Sequence, residues 1–245
     1  MEDTIVIIPT LNEEENIGQI VPVVLETCPG ISVLVVDDNS HDHTQEIVRN
    51  LVTQPPSRVH LLARNVSPGY GHSILDGLRW VREHGCKYAI SLDADSSHPI
   101  SAIPPLIKLL EYSDVAIGSR YVKGGGIANW KLHRRLLSRF ANLYVRLILN
   151  MPINDVTSGF VAYNNKAIDK ILEANPDSEG YSFLVEAKFV LSKTGLRIRE
   201  YPITFTDRRE GQSKMSGKKI WESVWVPWRL LFNSLVKPQA GEIVD

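Results

Sequence analysis

Short apolar runs alternate with amphipathic segments through the first half of the chain, and this alternation is the strongest constraint on the fold. The runs are continuously apolar, as strands buried on both faces of a sheet are. The sequence predicts strands at 4–9, 33–36, 59–62, 88–92 and 115–118, with helices between them at 13–26, 44–51, 73–84 and 103–112. Such alternation indicates βαβ units. We therefore expect an α/β fold with a mostly parallel, Rossmann-like sheet flanked by helices.

Composition and charge narrow the class of protein. The 245 residues include 27 Lys and Arg against 28 Asp and Glu, a formal net charge of −1, which disfavours a nucleic acid partner on bulk charge. Cys28 and Cys86 lie in no CxxC or His/Cys motif, so we expect reduced thiols. We expect neither a secretory signal before the first strand nor a membrane-spanning segment. These features predict a cytoplasmic protein.

Polar clusters follow three of the predicted strands, at 9–13, 37–42 and 93–95. Ligands of parallel sheets bind outside the carboxyl ends of the strands, so the clusters predict a nucleotide site at one sheet edge. Asp93 and Asp95 stand two residues apart at a strand end, where both could bind Mg²⁺ or Mn²⁺ together with substrate phosphates. The pair could equally be a solvated acidic turn, or Asp93 the nucleophile of a phosphatase. The 37–42 cluster could serve only to cap a helix.

Two amphipathic segments in the second half raise the question of a membrane. Residues 115–154 contain no Asp or Glu, and 130–149 is predicted to be a helix with one apolar side. Residues 220–236 place aromatic rings on one helical face, with Pro227 predicting a kink or a break. Either segment could lie in a membrane interface, pack on the core or form a dimer face. The aromatic residues are Trp221, Trp225, Trp228 and Phe232, and the basic residues of 115–154 are Arg120, Lys123, Lys131, Arg134, Arg135, Arg139 and Arg146.

The order of these motifs resembles the family 2 GT-A glycosyltransferases, and among them the dolichol/polyprenol-phosphate mannosyltransferases. The resemblance covers residues 4–219 and includes Arg64, the Gly-Ser-Arg of 118–120 and the Asp-Val-Thr-Ser-Gly-Phe of 155–160. Its most discriminating segment is 201–214, Tyr-Pro-Ile-Thr-Phe-Thr-Asp-Arg-Arg-Glu-Gly-Gln-Ser-Lys. The resemblance implies a GT-A (nucleotide-diphospho-sugar transferase) catalytic domain over 1–211. The three tryptophans of 220–236 favour the membrane interface for the C-terminal segment, so we expect residues 212–245 to be a Trp-rich amphipathic helix and tail at that interface.

The resemblance also implies roles for individual residues. Asp93 and Asp95 match the metal ligands, and Ala94 matches a backbone contact between them. Ser97 stands where the family has Gln or Ser and is a candidate third side-chain contact to the metal. The family usually has Tyr at the position of Leu11, and a Lys after Arg64 that is absent here. Residues matching nucleotide contacts are Pro9, Leu11, Asn12, Glu13, Val36 and Asp38. Residues matching the catalytic groups that hold the donor diphosphate and the acceptor phosphate are Arg120, Arg134, Arg208 and Lys214.

The implied reaction is an inverting, metal-dependent transfer of mannose from GDP-mannose to a dolichyl or polyprenyl monophosphate. This phosphate is largely dianionic at pH 7, since its second pKa is about 6, and needs no general base. Asp155 would be the candidate base for a hydroxyl acceptor. The protein would lie on the cytoplasmic face of a membrane, with or without a small membrane-anchoring partner. The alternatives are another donor such as UDP-glucose, or a non-catalytic subunit that binds a nucleotide sugar.

Overall fold

A computed structural model describes residues 3–55, 58–66, 68–178, 180–207 and 217–236. The strands are β1 Thr4–Thr10, β2 Ser32–Asp37, β3 Val59–Ala63, β4 Tyr88–Ser91, β5 Val115–Ser119, β6 Gly126–Ile127, β7 Val161–Asn164, β8 Ile198–Pro202 and β9 Thr204–Phe205. The α-helices are α1 Glu14–Thr27, α2 Thr44–Val52, α3 Tyr70–Glu83, α4 Ile103–Leu109, α5 Leu132–Leu149, α6 Asn165–Ala174, α7 Tyr181–Lys193 and α8 Gly217–Val236. A 3-10 helix, Ile100–Ala102, precedes α4.

Within the described residues the central sheet has the strand order β3-β2-β1-β4-β7-β5-β8. β7 is antiparallel to β4 and β5, and the other neighbouring pairs are parallel. The predicted α/β fold with a mostly parallel, Rossmann-like sheet is confirmed. No strand after residue 118 is predicted from the sequence, whereas the structure adds β7 and β8 to this sheet. β6 and β9 form a separate parallel pair.

Helices cover both faces of the sheet, which explains the continuously apolar strands. Alternate residues of β1 enter different apolar clusters: Ile7 packs with α3, and Ile8 with α1. Gly77 of α3 faces Ile7, and a Cβ at that position would lie 2.7 Å from Ile7 Cγ2. The missing side chain therefore lets α3 approach the sheet closely. This packing holds the carboxyl ends of β1, β2 and β4 at one edge.

The structure corrects the prediction for the C-terminal helix. α8 continues through Pro227 without interruption, so the predicted break is wrong, and the alternative kink stays a prediction. A proline removes one backbone donor from a helix, and tertiary packing can offset that loss. Val226 and Leu230 are buried in the core on either side of the proline. α8 therefore stays helical because one of its faces is held by the rest of the protein.

α5 and α8 pack against each other and expose a common apolar face. Tyr144 Oη donates to Val224 O and accepts from Trp228 Nε1, both at 2.9 Å. Ten of the thirteen large apolar side chains exposed in the described residues lie on these two helices. We call them the α5–α8 apolar surface: Leu132, Leu136, Leu137, Phe140, Leu143, Leu147, Val224, Trp225, Trp228 and Phe232.

A different side of α5 packs on the core, and its buried residues are Asn142, Val145 and Leu149. The predicted apolar stripe of α5 faces outward, since all of its members are exposed: Leu132, Leu136, Phe140, Leu143 and Leu147. The side chain of Trp221 lies outside the described residues. Within the part of the chain that the structure describes, every helix is too short or too polar to cross a bilayer.

Candidate active site

The polar segments that follow β1 and β2 meet at one edge of the sheet, as the sequence predicts. The two strands are parallel, with Thr10 level with Asp37, so both segments leave the sheet on the same side. The backbone N–H of Asn12 donates to Ser40 Oγ at 2.9 Å, and Asn12 Oδ1 accepts from the His41 N–H at 2.9 Å. The two loops therefore form one surface.

The residues predicted to contact a nucleotide differ in accessibility. Asn12, in the loop after β1, is exposed, while Pro9 near the end of β1 and Leu11 and Glu13 after it are half-buried. These four can face a ligand. The side chain of Val36 is instead fully buried in the core. A ligand contact at this position would have to come from the backbone.

Asp38 belongs to a buried ion pair beneath the same edge. Its carboxylate pairs with Arg64 and accepts the Gly69 N–H at 2.5 Å. Arg64 also donates through Nε to Asp76 at 2.7 Å. Both members of the pair are buried, so removing one would leave an uncompensated charge. The pair ties the loop after β2 to the segment after β3, and the Gly69 contact adds the start of α3. Asp38 keeps lone pairs that a ribose hydroxyl could use.

Asp93 and Asp95 follow β4 at this edge. Asp95 is buried, and its Oδ1 accepts the Ser97 N–H at 3.1 Å. The Asp93 side chain is 34% exposed, and its Oδ1 accepts from Tyr70 Oη at 3.3 Å. Gly159 adjoins both groups, since a Cβ there would lie 3.0 Å from Tyr70 Oη and 3.3 Å from Asp93 Oδ1. Tyr70 is a site residue that the sequence analysis does not single out, although it stands between two glycines.

The donor set around Asp95 fits a divalent cation. Ser97 Oγ is buried and has no hydrogen-bond partner among the described residues. Two carboxylates and a hydroxyl are hard oxygen donors of the kind that Mg²⁺ and Mn²⁺ prefer. No three His, Cys, Asp or Glu side chains gather into a metal site within the described ranges. A cation held by Asp93, Asp95 and Ser97 would therefore take further ligands from water or substrate phosphate.

His98 supports this region from inside the protein. Its ring stacks on Phe160 at a centroid distance of 5.1 Å and meets Phe205 edge-on at 5.2 Å. Burial lowers the pKa of His98, although Asp93 and Asp95 act in the opposite direction. His98 is therefore neutral at pH 7. Ala94, between the two aspartates, is also buried, which leaves its backbone as the part that could contact a ligand.

Arg120 follows β5 and is rigidly held. Its Nε donates to Asp155 Oδ2 at 2.7 Å and its Nη2 to Asp155 Oδ1 at 2.6 Å. Nη2 also donates to Thr157 Oγ1 at 2.8 Å. Asp155 is fully buried, and both of its carboxylate oxygens accept from Arg120. This geometry favours Asp155 as the partner that orients Arg120 over a role as general base.

The other predicted phosphate-binding residues are less fully described. The Arg134 guanidinium lies 3.8 Å from the ring centroid of Trp130 and pairs with Asp207 at 3.0 Å. The structure thus brings the start of α5 to the segment after β9. Arg208 and Lys214 lie outside the described residues, so their predicted roles remain predictions.

A cavity of about 310 Å³ lies between the loop after β5 and the first turns of α5. Its basic lining residues are Arg120, Arg135 and Arg139, and its apolar ones include Ile127, Leu132 and Leu136. Leu132 and Leu136 also belong to the α5–α8 apolar surface. The cavity therefore connects the strongly held Arg120 with the exposed apolar side of the molecule. From the sequence, Arg135 and Arg139 are known only as two of the basic residues of 115–154, and their spacing of four residues indicates a shared side of α5.

The fold defines the class of protein. A structure of glucosyl-3-phosphoglycerate synthase from Mycobacterium tuberculosis, in complex with Mn²⁺, UDP and glucosyl-3-phosphoglycerate, is similar to this chain with a TM-score of 0.65. The similarity covers 97% of this chain and 81% of that chain at 16% sequence identity. The protein therefore has the GT-A fold of nucleotide-sugar transferases.

The chain belongs to glycosyl transferase family 2, whose sequence profile matches residues 5–172. The polyprenol monophosphomannose synthase of Mycolicibacterium smegmatis is 40% identical over 91% of this chain and 84% of the relative. The undecaprenyl-phosphate mannosyltransferase of Micrococcus luteus is 38% identical over 89% of each chain. The predicted family and enzyme class, a glycosyltransferase, are confirmed.

Proposed function

We propose that this protein is an inverting, metal-dependent mannosyltransferase that transfers mannose from GDP-mannose to a dolichyl or polyprenyl monophosphate. The observation that carries the proposal is the cavity that places three arginines beside Ile127 and two leucines of the α5–α8 apolar surface. A lipid monophosphate combines a dianionic head with an apolar chain and matches this lining. The names of the two relatives, which join mannose transfer to a polyprenol or undecaprenyl phosphate, also support it.

The donor side of the proposal uses the polar edge of the sheet. Asp38 and the loop 9–13 would contact the nucleoside, and Asp93, Asp95 and Ser97 would hold Mg²⁺ or Mn²⁺. When bound, the cation neutralises charge on the departing nucleoside diphosphate. Tyr70 orients Asp93 through its hydroxyl. The GT-A structure with Mn²⁺ and UDP supports the use of a divalent metal in this fold.

In the proposed reaction, an oxygen of the lipid phosphate attacks the anomeric carbon of mannose. A new bond forms between this carbon and the phosphate oxygen. The bond between the same carbon and the β-phosphate of GDP breaks, and GDP leaves with the electron pair. A single displacement converts an α-linked donor into a β-linked product. Arg120, held in advance by Asp155, supplies fixed positive charge with little reorganisation. Arg134, Arg208 and Lys214 are proposed to bind the remaining phosphate charge.

The α5–α8 apolar surface is proposed to contact the cytoplasmic face of a membrane. Exposed Trp225, Trp228 and Phe232 provide aromatic anchors on α8, while α5 lacks acidic residues. Apolar side chains flanked by Lys and Arg suit an interface with anionic headgroups. Because α8 packs on the core, we propose residues 212–245 as an interfacial extension of the 1–211 catalytic domain. A small membrane-anchoring partner would cover the same surface.

A transfer assay tests the function directly. The protein is incubated with Mg²⁺ or Mn²⁺ and a polyprenyl phosphate in detergent, and GDP-mannose, UDP-glucose and UDP-N-acetylglucosamine are supplied in parallel. We expect lipid-linked mannose from GDP-mannose alone. Transfer from a uridine donor would overturn the donor assignment. Donor binding without any transfer would favour a non-catalytic subunit.

A further inference from the structure

A lysine is buried beneath the loop that supports Arg120. Lys188 of α7 is 2% exposed, and its Nζ donates to Ser158 O at 2.7 Å and to Leu184 O at 3.4 Å. No carboxylate pairs with Nζ among the residues that the structure describes. A buried ammonium group is costly without a close counter-charge. The burial of Lys188 at this position therefore calls for a reason beyond packing.

The 155–160 loop above Lys188 connects the two halves of the active site. At its start, Asp155 holds Arg120. In its centre, Ser158 Oγ donates to Gly118 O at 2.6 Å. Gly159 O accepts from Ser91 Oγ at 2.6 Å. Gly159 also lies against Asp93 and Tyr70. A shift of the loop would therefore move both Arg120 and the backbone that lies against Asp93.

We propose that Lys188 is a positioning residue for the transfer reaction: by donating to the Ser158 carbonyl, it fixes the 155–160 loop and thereby the placement of Arg120 relative to Asp93. The catalytic part of this inference rests on the proposed function. The loop contact itself does not depend on the identity of the substrates. Lys188 acts through the loop and does not touch the reacting atoms.

The charge state of Lys188 should make this positioning role depend on pH. Burial lowers the pKa of Lys188 to about 7. Asp155 in the loop and Glu200 on β8 favour its ammonium form, whereas Arg120 opposes it. The ammonium form makes the stronger hydrogen bond to Ser158 O, because a charged donor strengthens the bond. Positioning by Lys188 should therefore weaken as the pH rises above about 7.

Hydrogen–deuterium exchange of the substrate-free full chain tests the loop contact. Lys188→Met removes the donor, and Lys193→Met, on the same helix but exposed, is the matched control. We expect amides of 155–160 to exchange about tenfold faster in K188M than in K193M, the effect of losing one buried hydrogen bond. Equal exchange in the two variants would overturn the inference.

Transfer kinetics test the consequence for the reaction. We expect K188M to lower kcat about tenfold with KM for the donor nearly unchanged, while K193M matches the wild type. The wild-type kcat should fall between about pH 7 and pH 9, and this fall should be absent in K188M and in Lys188→Gln, which keeps a donor that cannot titrate. A kcat and pH profile equal to those of K193M would overturn the catalytic role. An inactive wild type would instead count against the proposed function, and the exchange comparison would still decide the loop contact.

Discussion

The polar edge of the sheet and the α5–α8 apolar surface are built in opposite ways. At the polar edge, charged side chains are buried and held by other parts of the chain, as Arg120 is by Asp155 and Asp38 by Arg64. On the apolar surface, large side chains such as Phe140 are left exposed. The first region is organised before any ligand arrives. The second is an apolar patch of the kind that marks an interaction site.

The largest effect is expected at the acidic pair. If the proposed function holds, Asp95→Ala should reduce transfer at least about a thousandfold, because a cation that would stabilise the leaving group would lose a ligand. Asp169→Ala, which removes a half-exposed carboxylate paired with Arg82, is the control and should retain wild-type activity. Initial rates in Mn²⁺ and calorimetric Mn²⁺ binding measure the two properties. Full Mn²⁺ affinity in D95A would show that the polar edge does not use this residue as a ligand.

A somewhat smaller effect is expected on the apolar surface. The double variant Leu147→Glu/Trp225→Glu should weaken co-sedimentation with anionic vesicles by at least about tenfold, since two apolar anchors are lost. Its transfer to a short-chain acceptor in detergent should change by less than about twofold, because neither residue lines the cavity. Tyr112→Glu alters an exposed aromatic side chain of the turn after α4 and should bind vesicles as the wild type does. Vesicle binding by the double variant equal to that of the wild type would contradict the proposed membrane contact.

The smallest effect concerns stability and pH. Burial holds the pKa of Lys188 near 7 in the folded protein, against about 10.4 in an unfolded chain. Between these values the unfolded state binds more protons, so the stability of the wild type should rise with pH relative to K188M. We expect the wild-type Tm to rise by at least about 7 °C relative to that of K188M between about pH 7 and pH 10. A constant Tm difference would mean that Lys188 has an ordinary pKa.

The sheet and its polar edge could be predicted because their signals are local. Buried strands are continuous apolar runs, and the acidic clusters follow them directly in the chain. The partners of the site residues could not be predicted in the same way. Asp155 and Arg120 are 35 residues apart, and Lys188 meets Ser158 across 30 residues. Such contacts depend on how β7 and α7 pack, and the sequence analysis predicts neither element.

The orientation of α5 shows a second limit. An apolar stripe has the same helical period whether it packs on a core or faces a membrane. Only the structure shows that Val145 and Leu149 point inward while Leu136 and Phe140 point outward. Pro227 shows a third limit, since the packing of α8 overrides the break that this residue predicts.

We propose that the cavity beside Arg120 receives the lipid phosphate while the polar edge receives the donor. Arg135→Gln/Arg139→Gln tests it most directly, because both side chains line the cavity and neither lies at the polar edge. Steady-state kinetics with each substrate varied in turn should show KM for the polyprenyl phosphate raised by at least about tenfold, as expected for two lost charge-assisted contacts. KM for GDP-mannose should stay within about twofold of the wild type. A raised KM for GDP-mannose with an unchanged KM for the lipid phosphate would contradict the account.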